Sequence, residues 1–221
     1  MILFAAAAPP FMKNGFVLGC ERTLEALVID PGDEVAELLA FIDQRHLQPK
    51  AILLTHAHVD HVSGVGAAKH DLAVPVWLHR ADQPLYERAA AQGAMFGLSV
   101  EQPPPVDHYY GEDGAWGRFG DYEVSVHHTP GHCPGGVCLA VRRVTDPSRL
   151  EGLFVGDTLF AGSIGRTDLP GGNHATLMRS ITEVLFTFPD DAVVYSGHGP
   201  ETTIGREQAT NPFVRDWLER G

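Results

Sequence analysis

Cysteine is scarce: Cys20, Cys133 and Cys138 are the three in 221 residues. An odd, sparse set in a chain this long does not look like a disulfide framework and fits a reducing compartment, so a cytoplasmic location is expected. Basic residues are also few, 16 Lys and Arg against 28 Asp and Glu, for a net charge of −12. Nucleic-acid-binding surfaces carry a basic excess, so no nucleic-acid partner is expected. Long apolar runs are missing as well. None approaches the ~20 residues of a membrane span, and no membrane partner is expected. The apolar start lacks a basic segment and is interrupted by Pro9 and Pro10, so it reads as a strand and loop rather than an export signal. With 44% hydrophobic and 20% charged residues, disorder, collagen and coiled coil are poor descriptions. The length suits one large domain spanning residues 1–221.

What is abundant is punctuation: 24 Gly and 16 Pro are spread along the chain, implying many turns between short elements. Strands are expected at 16–19, 24–29, 51–55, 74–78, 121–128, 137–144, 152–155 and 193–195. Helices are expected after Asp33 as cap, at 64–70, at 82–95, from Asn173 as cap to about 186, and in the tail. Residues 162–173 read as a long polar loop. Strands interleaved with helices in both halves point to two packed sheets with helices outside, an α/β or α+β sandwich.

The sharpest local feature is Thr55-His56-Ala57-His58-Val59-Asp60-His61, directly after an apolar strand. In extended chain, residues i and i+2 point the same way, so His56 and His58 can converge on one ion. If the chain then turns into a helix, Asp60 and His61 leave in another direction and can serve a second ion nearby. Imidazole and carboxylate suit Zn, Fe or Mn. Three further candidates each follow a strand and stand beside glycine: His132 in Thr129-Pro-Gly-His, Asp157 in Val155-Gly-Asp-Thr, and His198 in Ser196-Gly-His-Gly-Pro. Strand ends at one rim of a sheet are where a scaffold presents ligands on loops. Each of these alone is more often an ordinary turn.

The run THAHVDH, followed in order by TPGH, GDTLF and GHGP, resembles the metallo-β-lactamase superfamily over about residues 16–213. Within it the chain is similar to glyoxalase II-type hydroxyacylglutathione hydrolases, especially the short bacterial form without a C-terminal helical domain. The segment Gly162-Ser-Ile-Gly-Arg-Thr-Asp-Leu-Pro-Gly-Gly carries that closer likeness. The resemblance implies an α+β fold, a four-layer αβ/βα sandwich of two mixed sheets flanked by helices. It implies a binuclear site: His56, His58 and His132 on one divalent ion, Asp60, His61 and His198 on the other, and Asp157 bridging. Zinc is the expected pair, with iron or manganese as the other possibilities. Cys133 and Gly136 depart from the family's usual residues, and Cys133 reads as a small residue packed behind the ligand loop.

The expected reaction is thioester hydrolysis by a hydroxide shared between two cations, with Asp60 ligating and orienting it. A thiolate leaves easily because thiol pKa values lie near 8.5. Arg166, in the Gly-rich loop, is the candidate substrate contact, its competing role being an ion pair with Asp168. Asp30 could brace the ligand loop as an acceptor behind it. Alternatives are a persulfide dioxygenase, with one iron on His56, His132 and Asp157, a lactonase, and a non-catalytic metal-binding domain.

Overall fold

The computed structural model of the chain describes residues 1–111 and 113–220. The first half builds β1 (Ile2–Ala8), β2 (Lys13–Gly19), β3 (Glu25–Ile29), α1 (Val35–Gln44), β4 (Gln48–Leu53), α2 (Val59–Val62), α3 (Val65–Leu72), β5 (Val76–His79), α4 (Gln83–Tyr86), α5 (Ala89–Met95) and β6 (His108–Tyr110). The second half builds β7 (Asp113–Phe119), β8 (Tyr122–His128), β9 (Val137–Arg143), β10 (Asp146–Gly156), β11 (Leu159–Phe160), β12 (Ser163–Ile164), α6 (His174–Arg179), β13 (Val193–Ser196), β14 (Thr202–Thr203), α7 (Ile204–Thr210) and α8 (Pro212–Arg220).

Two six-stranded mixed sheets result, ordered β1-β2-β3-β4-β5-β6 and β14-β13-β10-β9-β8-β7. Both faces of each sheet are covered, and the sequence shows why. Along β2 and β3, Phe16, Leu18, Leu27 and Ile29 point inward to the other sheet, meeting Val124, Leu139 and Phe154. Their neighbours Val17, Ala26 and Val28 point outward to Leu38, Val62 and Val65 on the helices. The second sheet does the same, with Cys138, Leu153 and Val194 packed on Leu177, Ile181 and Ile204. The period of two, with both positions apolar, is what a strand buried on two faces requires. The expected helix–sheet–sheet–helix sandwich is therefore present.

Strand direction brings the loops together. The β3, β4 and β5 ladders are parallel, so the chain leaves β3 and β4 at the same rim. In the other sheet β10 runs parallel to β13 and antiparallel to β9, which is antiparallel to β8. The ends of β8, β10 and β13 thus share a rim too. Main-chain bonds fasten the two rims: Val137 N–H donates to Thr55 C=O at 2.9 Å and Asn14 N–H to Gly197 C=O at 2.7 Å.

Several local expectations change. Asp33 does not cap α1; Glu34 holds the cap position without a side-chain bond to the helix, and Asp33 accepts from Ser63 Oγ at 2.9 Å. The helix expected over 82–95 is broken into a 3-10 turn (Arg80–Asp82), α4 and α5. Pro84 suits only a first turn, and the break lets Gln92 donate to Leu85 C=O at 2.8 Å and Ala57 C=O at 3.2 Å. Asn173 does cap α6, accepting from Thr176 N–H at 2.9 Å. Beyond Arg179 the helix widens into a π turn over Ser180–Val184, where Ser180 Oγ is drawn to Pro130 C=O at 2.7 Å. The loop at 162–173 contains β12, paired with β11.

Candidate metal centre

The motif after β4 changes conformation where the spacing argument requires it. His58 is extended (φ −69°, ψ 151°) and α2 begins at the next residue, so Asp60 and His61 occupy a helical turn. The side-chain nitrogens of His56, His58 and His132 fall within 4.8 Å of one another. So do the ligand atoms of Asp60, His61 and His198. Asp157 lies between the two groups. Its Oδ2 is 3.6 Å from His132 Nε2 and 3.5 Å from His198 Nε2, and its Oδ1 is 3.3 Å from His61 Nε2. All seven residues named from the sequence are thereby gathered at one place, from four loops on two sheets.

Hydrogen bonds settle which ring atom three of the histidines offer. His132 Nδ1–H donates to Arg166 C=O at 2.8 Å, leaving Nε2 for the cluster. His61 Nδ1–H donates to Asp30 Oδ2 at 2.9 Å, again leaving Nε2. Thr55 Oγ1 donates to Asp30 Oδ2 at 2.5 Å, so it accepts from His56 Nδ1–H at 3.2 Å and His56 also presents Nε2. His58 Nδ1 faces His132 Nε2 at 2.8 Å. Asp30 also accepts from Thr55 N–H at 2.7 Å. It orients two of the imidazoles, one directly and one through Thr55. Its φ of +48° is a left-handed conformation that Asp adopts more readily than most residues.

The donor set fits a pair of divalent cations. His56 Nε2, His61 Nε2 and Asp157 Oδ1 are buried and make no hydrogen bond within the protein. Such atoms cost ~1–3 kcal/mol each unless something else satisfies them. Three buried atoms of ligating type, converging on one spot, are what a metal site leaves in a ligand-free chain. Glycine keeps the cradle open. A Cβ at Gly197 would fall 2.2 Å from Asp157 Oδ1 and 2.6 Å from His61 Cε1, and one at Gly156 (φ +52°) 2.4 Å from Thr55 Oγ1.

The electrostatics of the metal-free chain are correspondingly tense. Burial, then the charges of His61 and His58, hold His56 well below the usual imidazole range. Burial and the facing His132 push His58 down to about 4. Burial opposes charge on His61 too, but Asp60, Asp30 and Asp157 outweigh it and raise His61 to about 10. Burial would raise Asp60 and Asp157, yet His61 beside both lowers them. His56 and His58 stay neutral, the carboxylates stay ionised, and the one imidazole that gains charge, His61, is held by three carboxylates that a cation could serve in its place.

Arg166 is placed differently from the others. Its carbonyl contacts the cluster through His132, while its exposed guanidinium makes a two-pronged ion pair with Asp168 at 2.7 Å. Three contributing residues escape sequence reasoning. Lys13 Nζ is buried and bonds the Asp30 carbonyl and Glu34, and Asp82 is buried between the ligand loops. All three act through contacts far away in sequence, so no local pattern announces them. Of the histidines left without a role, His79 is buried and stacked on His128 at 4.1 Å, whereas His70 lies exposed.

Comparison with known proteins agrees with the geometry. A family model described as metallo-beta-lactamase superfamily matches residues 9–198. The chain is 39% identical over 206 residues to the probable metallo-hydrolase YqgX of Bacillus subtilis, covering 93% of each chain. It is 36% identical over 190 residues to the hydroxyacylglutathione hydrolase GloC of Haemophilus influenzae, covering 86% of this chain and 87% of that one. Among solved structures, BLEG-1 B3 metallo-beta-lactamase superposes with a TM-score of 0.86 at 37% identity, covering 96% of this chain and 99% of that one. TTHA1623 in a di-iron-bound form gives 0.82 at 40%, covering 95% and 99%. ETHE1 from Myxococcus xanthus gives 0.74 at 27%, covering 98% and 85%. Fold, ligand cluster and family model therefore converge: the chain belongs to the metallo-β-lactamase superfamily.

Proposed function

We propose that the protein is a two-metal thioesterase of the hydroxyacylglutathione hydrolase type. The observation that carries this reading is the pair of ligand clusters joined by Asp157, with three buried ligating atoms otherwise unbonded. The 36% identity to GloC supports the substrate class. His56, His58 and His132 would hold one ion, Asp60, His61 and His198 the other, and Asp157 both. Zinc fits this nitrogen–oxygen set, and the di-iron form of TTHA1623 makes iron the principal competitor.

Two divalent cations would supply an acidified water and an electrophilic pull on a carbonyl oxygen. The chain's own residues do the rest. Asp60 Oδ2, already 3.1 Å from His198 Nε2, is placed to accept a proton from the attacking water and so aim its lone pair. Asp30 and the Arg166 carbonyl fix the His61 and His132 rings, so the cluster holds its shape during turnover. The departing thiolate needs no strong acid, and none stands ready among these residues. Arg166 is the proposed contact for an anionic substrate, released from Asp168 on binding. The three buried, unpaired cysteines suit the reducing cytoplasm, and the net charge of −12 suits a small substrate rather than nucleic acid.

Elemental analysis and S-lactoylglutathione turnover on the same sample test the reading. Two ions per chain with turnover are expected, and Asp157→Ala should lose metal and at least ~100-fold in rate. One iron per chain with oxygen uptake on a glutathione persulfide would replace the thioesterase by a dioxygenase. Two ions with turnover of lactones but not thioesters would replace it by a lactonase.

A further inference from the structure

Asp82 has no place in the ligand set, yet it is fully buried at the end of the 3-10 turn that follows β5. Its carboxylate is used on both oxygens. Oδ2 accepts from Ala57 N–H at 3.0 Å and from Cys133 Sγ–H at 3.2 Å. Oδ1 accepts from Gly135 N–H at 2.5 Å. Ala57 sits between His56 and His58 and belongs to the first sheet's rim. Cys133 follows His132 directly, and Gly135 is two residues on, in the second sheet's loop. One buried carboxylate thus spans the two loops that supply the three-histidine cluster.

The fit is tight. A Cβ at Gly135 would stand 2.7 Å from Asp82 N and 2.8 Å from Asp82 Cγ, so glycine is needed for the loop to come this close. Across the same junction His58 Nδ1 and His132 Nε2 meet at 2.8 Å. Burying a carboxylate without a cation beside it is costly unless its lone pairs are satisfied, and here three donors do so. A simpler way to join two loops would use neutral groups. Its carboxylate hydrogen bonds run to ligand-bearing segments on both sheets, which gives it a more specific task.

We propose that Asp82 is a positioning residue that staples the His56–His58 loop to the His132 loop and so sets the geometry of the three-histidine half of the metal site. Cys133 then serves as one of its donors rather than as a ligand or redox centre. The proposal rests on the two-metal reading above and concerns only one of the two ions. Asp82→Asn keeps the size but turns two hydrogens toward at least one of the three donors, so the staple opens. Gly135→Ala opens it from the other side without touching the charge.

The test is chelator-competition titration of zinc, and the visible spectrum of the cobalt-loaded protein, for the parent and both variants, with circular dichroism and melting of the metal-free forms alongside. The expected result is a drop of about 10–100-fold in affinity at one site in both variants. The other site should stay within about threefold. The cobalt spectrum should change in the bands of the weakened site, and the metal-free fold should be retained. Affinity at both sites unchanged, or lowered equally, would overturn the proposal. So would failure of both variants to fold, because Asp82 would then serve the fold and not the site. If the parent itself bound no second ion, the two-metal reading would fail instead, which a parent-only titration separates from failure of the staple.

Discussion

Removing the Lys13 ammonium tests how the scaffold behind the site is held. Lys13 and Glu34 are each 1% exposed, and Lys13 Nζ donates to Glu34 Oε1 at 2.6 Å. Glu34 Oε1 also accepts from Gly32 N–H at 2.9 Å, but Oε2 has no partner. In Lys13→Met the methionine fills much of the volume, so the loss is chiefly that of the cation. Glu34 is left as a buried carboxylate with one backbone donor. Breaking a buried pair from one side costs ~3–5 kcal/mol, and the lost bond to the Asp30 carbonyl adds about 1 kcal/mol. For a chain of this size that corresponds to a melting point lower by roughly 8–24 °C. Replacing both partners with methionine should recover most of the loss, because two apolar groups leave nothing charged behind. Urea unfolding of the metal-free proteins is the suitable assay, since bound ions would add their own linkage. A single variant weaker by less than about 1 kcal/mol, or a double variant as weak as the two singles summed, would refute the reasoning.

Gly156→Ala forces a side chain into a left-handed position at φ +52° and against Thr55 Oγ1; thermal melts should show a loss of ~1–3 kcal/mol, and a neutral result would mean the Thr55–His56 contact is dispensable. Acid should weaken the metal-free protein. His58 has a folded value of about 4, below its ordinary 6.5, so its contribution is present above pH ~6.5 and lost as pH falls through about 4. Urea midpoints at pH 6.5 and 4.5 report that loss, below the window from 6.5 to about 10 in which the raised His61 shifts stability the opposite way, and a higher midpoint at the lower pH would contradict the burial argument. Arg166→Ala removes only an exposed ion pair with Asp168, so melting should not change while KM for an anionic thioester rises; an unaltered KM would release Arg166 from substrate binding.

The parts of the site legible in the sequence were those encoded at short range. His56 and His58 share a side because they are two residues apart in extended chain, and Asp60 and His61 diverge because α2 starts at Val59. His132, Asp157 and His198 were found through their place after strands, since the sheets align those strand ends. The β2, β3 and β4 runs were legible from their apolar residues, though their bounds moved. By contrast β6 is only three residues long and β7 carries Gly114 and Gly117 with a register shift, so neither has a strand's usual pattern. Lys13, Glu34 and Asp82 were illegible for another reason. Each looks like an ordinary polar residue until the fold brings hydrogen-bond partners from 17 to 53 positions away against it. Asp33 and Glu34 illustrate the limit: either could cap α1 by composition, and tertiary contacts with Ser63 and Lys13 decide what each carboxylate does.

The central claim is that two ions share this cluster with Asp157 between them. Anomalous diffraction from crystals of the metal-loaded protein tests it most directly. The account predicts two peaks, one against His56, His58 and His132 and one against Asp60, His61 and His198, with Asp157 touching both. A single peak, or peaks away from these side chains, would contradict it.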